Sequence, residues 1–127
     1  MKLAELEPQF LRHEEKLEKR MYQTKDGRTE EREELQTYHV YEDELSKAQG
    51  IMFLCPECFK KNNGPVGTHS VICWFRDRGV PADAFPLPGR WVVTGTTYED
   101  LTLSPSVLLT DGCRWHGFVT GGMITQC

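Results

Sequence analysis

Cys55-Pro56-Glu57-Cys58 follows directly on the apolar run Ile51-Met52-Phe53-Leu54, and its counterpart near the end of the chain is Cys113-Arg114-Trp115-His116. Each quartet places two soft or borderline ligands two residues apart, the spacing at which side chains of one tight turn reach a single tetrahedral ion. Fifty-four residues lie between the two halves, so an ion shared by them would staple distant turns and cross-link everything between. The fold expected from this reading is a small domain of the α+β class, mostly β, with two knuckle turns closed on zinc.

Working outward, Ile51–Leu54 reads as a buried strand that delivers the first knuckle. Lys60–Gly67 is a polar, glycine-bearing loop. Ser70–Phe75 follows as the strongest core strand, with Val71, Cys73 and Phe75 on one face and Ile72 and Trp74 on the other. Gly79, Pro81, Pro86, Pro88 and Gly89 punctuate Arg76–Gly89 as a loop. Trp91–Val93, Leu101–Leu103 and Val107–Leu109 look like short strands, and Asp111-Gly112 reads as a turn before the second knuckle. Phe118-Val119, Gly121-Gly122 and Met123-Ile124 spell a terminal hairpin.

The first fifty residues have a different texture. Leu3, Leu6, Phe10 and Leu11 are the only early anchors, and Pro8 argues for an extended arm around Gln9–His13. Glu14–Glu34 is mostly charged and is divided at Asp26-Gly27, a strong turn signal. Its arms fit a helical pair or a hairpin equally, because Leu17 and Met21 have helical spacing while Arg20–Thr24 alternates weakly. Asp43 is placed to cap a short helix over Glu44–Gln49, with Gly50 as its stop. The expected organisation is an acidic N-terminal arm over 1–50 and a zinc-binding, β-rich core over 51–127.

Composition narrows the function classes. Of 127 residues, 39% are hydrophobic, a modest core that a metal would reinforce. Net charge is −4, and its excess lies in residues 1–50, which hold 9 Lys+Arg against 13 Asp+Glu, while residues 51–127 hold 6 against 6. No basic stripe offers itself to nucleic-acid phosphates, and no stretch is long and apolar enough to span a membrane. Five cysteines without a signal-peptide pattern suggest a soluble protein of a reducing cytoplasm, where close-set thiols bind metal more often than they pair.

The metal-ligand candidates are therefore Cys55, Cys58, Cys113 and His116, four protein ligands for one Zn2+ per chain, with iron as the other soft-ligand choice. Cys73 lies inside an apolar strand and reads as packing, and Cys127 as a loose terminal thiol. His69, after Gly67-Thr68, is the catalytic candidate: an additional ligand, a partner to one, or a general base, set against a satisfied structural histidine. His13 and His39 have no evident partners.

Gly50–Phe59, Gly67–Phe75, Leu101–Leu109 and Gly112–Val119 together resemble an uncharacterised family of small phage and prophage proteins, many of them labelled ammonia monooxygenase. The resemblance covers about residues 37–127 and implies a phage origin and metal at the two paired motifs. The label itself conflicts with the residues, since a thiolate-rich set is a poor match for oxygen-activating metal chemistry and no spanning helix is present. Glycine-rich phosphate loops, HExxH helices and nucleophile elbows are also missing.

The functional expectation is a zinc-stapled interaction or adaptor module whose partner is a host or phage protein, interference with host defence being one role open to it. The alternative is a zinc-dependent hydrolase or nuclease in which His69 or Glu57 assists and Ser104 or Ser106 lies nearby.

Overall fold

The computed structural model describes residues 1–127 except Pro88 and Asp111, so the expected Asp111-Gly112 turn and the Pro88 position of the long loop lie outside the described residues. Two four-stranded antiparallel sheets make up the molecule. The first has the order β2-β1-β3-β4, from β1 (Gln9–Gln23), β2 (Thr29–Glu42), β3 (Gly50–Leu54) and β4 (Ser70–Trp74). The second has the order β5-β6-β7-β8, from β5 (Val92–Thr94), β6 (Thr102–Leu108), β7 (His116–Thr120) and β8 (Met123–Gln126). The mostly β expectation is borne out. Among the described residues no helix is long and apolar enough to cross a membrane.

The inward residues of both sheets form one core. Ile51, Phe53, Val71 and Cys73 from the first meet Leu103, Val107, Val119 and Ile124 from the second. The rings of Phe53 and Trp115 pack edge to face between them at 6.3 Å, a geometry the ring quadrupoles favour. Leu3, Leu6, Phe10, Leu45 and Ala48 belong to the same core, so its packing crosses the division expected at residue 50.

The helix-or-hairpin ambiguity of the charged segment ends in a hairpin. Gly27, at φ +83°, supplies the positive φ that its turn needs, and the Thr24 amide donates to the Arg28 carbonyl at 2.8 Å. The Thr24 hydroxyl donates to the Asp26 carboxylate, which with the Arg28 amide holds the Asp26 carboxyl below its usual range. Beyond Phe10 and Leu11 neither strand buries a side chain fully, and Leu17 and Leu35 face each other in register while exposed. The expected short arm at Gln9–His13 is only the base of a ribbon that continues to Gln23.

Three local expectations need correction. Cys55-Pro56-Glu57-Cys58 opens α1 (Pro56–Asn62) rather than an isolated knuckle, because Pro56 at the first helical position is preorganised for a helix. Asn63, left-handed at φ +54°, ends it. The expected helix over Glu44–Gln49 is a single 3-10 turn at Leu45–Lys47. Finally, the strands expected at Leu101–Leu103 and Val107–Leu109 are one strand, β6, broken only in register. Leu103 pairs with Val119 and Val107 with Gly117, so Ser104, Pro105 and Ser106 together face Phe118. Pro105 has no N–H to give a ladder and is at home in such a bulge.

Candidate metal centre and a serine–histidine pair

Where β3 ends and β4 begins, the Cys55 amide donates to the His69 carbonyl at 2.9 Å, one step beyond the Leu54–Ser70 pair. That bond sets Cys55 and His69 side by side, and the first turn of α1 adds Cys58. Cys113 arrives from the other sheet. The potential ligand atoms of Cys55, Cys58, His69 and Cys113 all lie within 4.8 Å of one another. Cys113 Sγ is 3.2 Å from Cys55 Sγ and 3.2 Å from His69 Nε2.

A tetrahedral site with metal–sulfur bonds near 2.3 Å needs sulfurs about 3.8 Å apart. The Cys55–Cys113 spacing of 3.2 Å is within about 0.6 Å of that value, and three thiols with one imidazole are a suitable donor set. The group can hold a metal ion. Its electrostatics already separate the thiols: burial pushes Cys55 up to about 12 and raises Cys58 as well. Burial also opposes ionisation of Cys113, but hydrogen bonds with Cys55 and His69, then the Trp115 amide and Cys58, outweigh it and hold Cys113 at about 7. Cys73, fully buried in β4, is pushed upward by burial alone and stays apart from the cluster.

His116, expected as the fourth ligand, stands apart from this group, and His69 lies beside the three thiols instead. The physical reason is local. Arg114 is left-handed at φ +53° and the strand β7 starts at His116, so the Cys-x-x-His segment does not close as one turn. Strand alternation then sends Trp115 and Gly117 inward and His116 outward. On the outer face His116 Nε2 meets Ser106 Oγ at 3.0 Å. Both residues are half-buried. Ser106 entered the sequence reading only as a neighbour of a metal, since the bulge that sets it apart is a product of strand pairing.

A serine hydroxyl hydrogen-bonded to an imidazole is the minimal arrangement for nucleophilic catalysis. A family model described as "BubE: Bacterial ubiquitination-like system serine protease (BubE)" matches residues 25–127. The chain belongs to the BubE family. No curated protein and no solved structure matches it. Membership overturns the adaptor-module expectation, because the family is one of serine proteases. The match carries neither a phage origin nor the ammonia monooxygenase label. The match begins within the hairpin turn, so β2 and everything after it lies inside the family's extent, while β1 lies outside.

Proposed function

We propose that this BubE-family chain is a serine protease of a bacterial ubiquitination-like system, with Ser106 as nucleophile and His116 as general base. The observation that carries the reading is the 3.0 Å approach of Ser106 Oγ to His116 Nε2 on an outward sheet face, in a chain whose family is one of serine proteases. The substrate class is a polypeptide of that system, cut at a carbonyl presented to the outer face of the second sheet.

The chemistry runs as for any hydroxyl nucleophile paired with a base. Ser106 Oγ bonds to the scissile carbonyl carbon while its proton passes to His116 Nε2. The imidazolium returns that proton to the departing nitrogen, leaving an ester on Ser106. Water, deprotonated by His116, then releases the acid and restores the hydroxyl. A base in place already at 3.0 Å requires no rearrangement of the pair before attack.

The ion we assign to Cys55, Cys58, His69 and Cys113 is Zn2+, whose preference for thiolate and imidazole matches this set. Bound by four protein ligands, it supplies structural cross-linking. Those ligands tie the β3–β4 junction and α1 to the segment from Cys113 that delivers His116. His69 thus has a supporting role, and its position among the thiols speaks against service as a general base.

The test is covalent. The wild-type protein incubated with a fluorophosphonate should gain one phosphonyl group per chain, mapped by peptide mass spectrometry to Ser106. Labelling that settles elsewhere, or that persists unchanged in Ser106→Ala, would defeat the assignment.

A further inference from the structure

Ser106 occupies a peculiar place in its strand. β5 pairs with β6 only as far as Val92–Ser104, and the pairing of β6 with β7 resumes only at Val107–Gly117. The ladder register therefore gives Ser106 no partner in either neighbouring strand. Ser106 thus sits at the edge of the bulge, unpaired itself but directly before the Val107–Gly117 pair, with its Oγ aligned with His116.

The alignment comes from outside the ladder. The indole Nε1–H of Trp91 donates to the Ser106 carbonyl at 3.3 Å. Trp91 is itself held at both backbone groups: its amide donates to the Trp74 carbonyl at 3.0 Å, and its carbonyl accepts from the Arg76 amide at 2.6 Å. These bonds form the parallel bridge between Phe75 and Trp91, where the first sheet meets the start of β5. Space for the ring is made by Gly89, where an added Cβ would lie 2.5 Å from the indole.

We infer that Trp91 is the positioning residue for the nucleophile: anchored on the first sheet, it reaches into the second and fixes the Ser106 peptide group so that Oγ stays on His116. The proposal rests on the serine-protease reading above. It makes the junction between the sheets part of the catalytic apparatus, with His116 held from the metal side and Ser106 from the tryptophan side. Loss of the indole N–H leaves the Ser106 carbonyl to water, and the bulge can then rotate the hydroxyl off its base. Misplacement of a reacting group by a fraction of its hydrogen-bond length lowers the rate of attack and leaves substrate binding untouched.

Two replacements isolate the N–H. Trp91→Phe removes it with part of the ring, and benzothienylalanine at position 91 removes it while keeping the ring's shape. Each is assayed for the rate of fluorophosphonate capture at Ser106, a step in which the Oγ–P bond forms, fluoride leaves and the hydroxyl proton passes to His116. Each is also assayed for kcat and KM on a cleaved polypeptide, for metal content and for thermal melting. The expected result is a capture rate and a kcat lower by about tenfold, with KM, metal and melting temperature unchanged. Capture at the wild-type rate in the benzothienylalanine protein overturns the proposal while leaving the protease reading intact. A fall in rate that merely tracks loss of metal or of a cooperative melt also overturns it. Failure of the wild type to be labelled at Ser106 removes both.

Discussion

Ser106 on β6 and His116 on β7 are hydrogen-bonded partners, Oγ to Nε2 at 3.0 Å, although a four-residue group able to hold a metal ion draws Cys113 from the chain between them. Cys113, three positions before His116, therefore belongs to the group that can hold a metal ion. The two histidines divide between the two arrangements: His69 stands with the thiols and His116 with the Ser106 hydroxyl.

Removing either member of the pair should abolish turnover with little effect on the fold. Ser106→Ala and His116→Ala are each expected to lower kcat/KM for polypeptide cleavage by about 10³-fold or more, and the double variant by little beyond that, because the two act as a unit. Steady-state kinetics on all three proteins checks this. Strictly multiplicative losses would show that the residues work independently.

The two histidines should separate cleanly in metal content. Elemental mass spectrometry should find about one zinc per chain in the wild type and in His116→Ala, and much less in His69→Ala. Stripping the metal with a chelator should lower the melting temperature by about 10 °C or more, since the ion binds the folded arrangement only. Zinc lost from His116→Ala but kept in His69→Ala would restore the assignment made from spacing alone.

Thiol reactivity in the metal-free protein should follow the electrostatics of the cluster. Cys113, held at about 7, is a depressed acid, so its thiolate is populated above pH 7 and disappears as the pH falls through that value. Cys55, pushed up to about 12 by burial, stays protonated across the same range. Iodoacetamide mapped by peptide mass spectrometry should thus modify Cys113 first, with a midpoint near pH 7, and zinc should protect it. Preferential modification of Cys55 at neutral pH would contradict this order.

The distal hairpin should be dispensable for the fold. Lys16 and Gln36 face each other in register, and the strands bury side chains fully only at Phe10 and Leu11. Replacing residues 16–36 by an Asn-Gly turn between Glu15 and Thr37 should keep the metal and leave the melting temperature within about 4 °C. An insoluble or metal-free product would place the ribbon among the elements that hold the core.

Much of the molecule was legible locally. The alternation of Ser70–Phe75, the apolar run into Cys55 and the Gly121-Gly122 hairpin all name strands from nearest neighbours, because a strand's burial pattern repeats every two residues. Composition likewise pointed to a modest core. Cys55 and Cys58 could be grouped by spacing because two residues between ligands suffices for one turn to present both, whereas the same spacing paired Cys113 with His116, which stands apart from the group.

The fourth member of the cluster and the serine pair could not be read that way. Which histidine joins the thiols depends on the β3–β4 register, which sets His69 beside Cys55, and on the phase of β7, which turns His116 to the opposite face. Both are properties of strand pairing across the chain, and a one-residue change of phase exchanges the faces of a strand. Ser106 is likewise an ordinary serine in sequence; a bulge, a neighbouring strand and an indole from the junction of the sheets align it with His116. The sequence by itself determined which residues have the chemistry to hold a metal or attack a carbonyl. Tertiary structure decided which of them meet, because side-chain reach is a few ångströms and only the packing of two sheets brings residues so far apart in the chain within it.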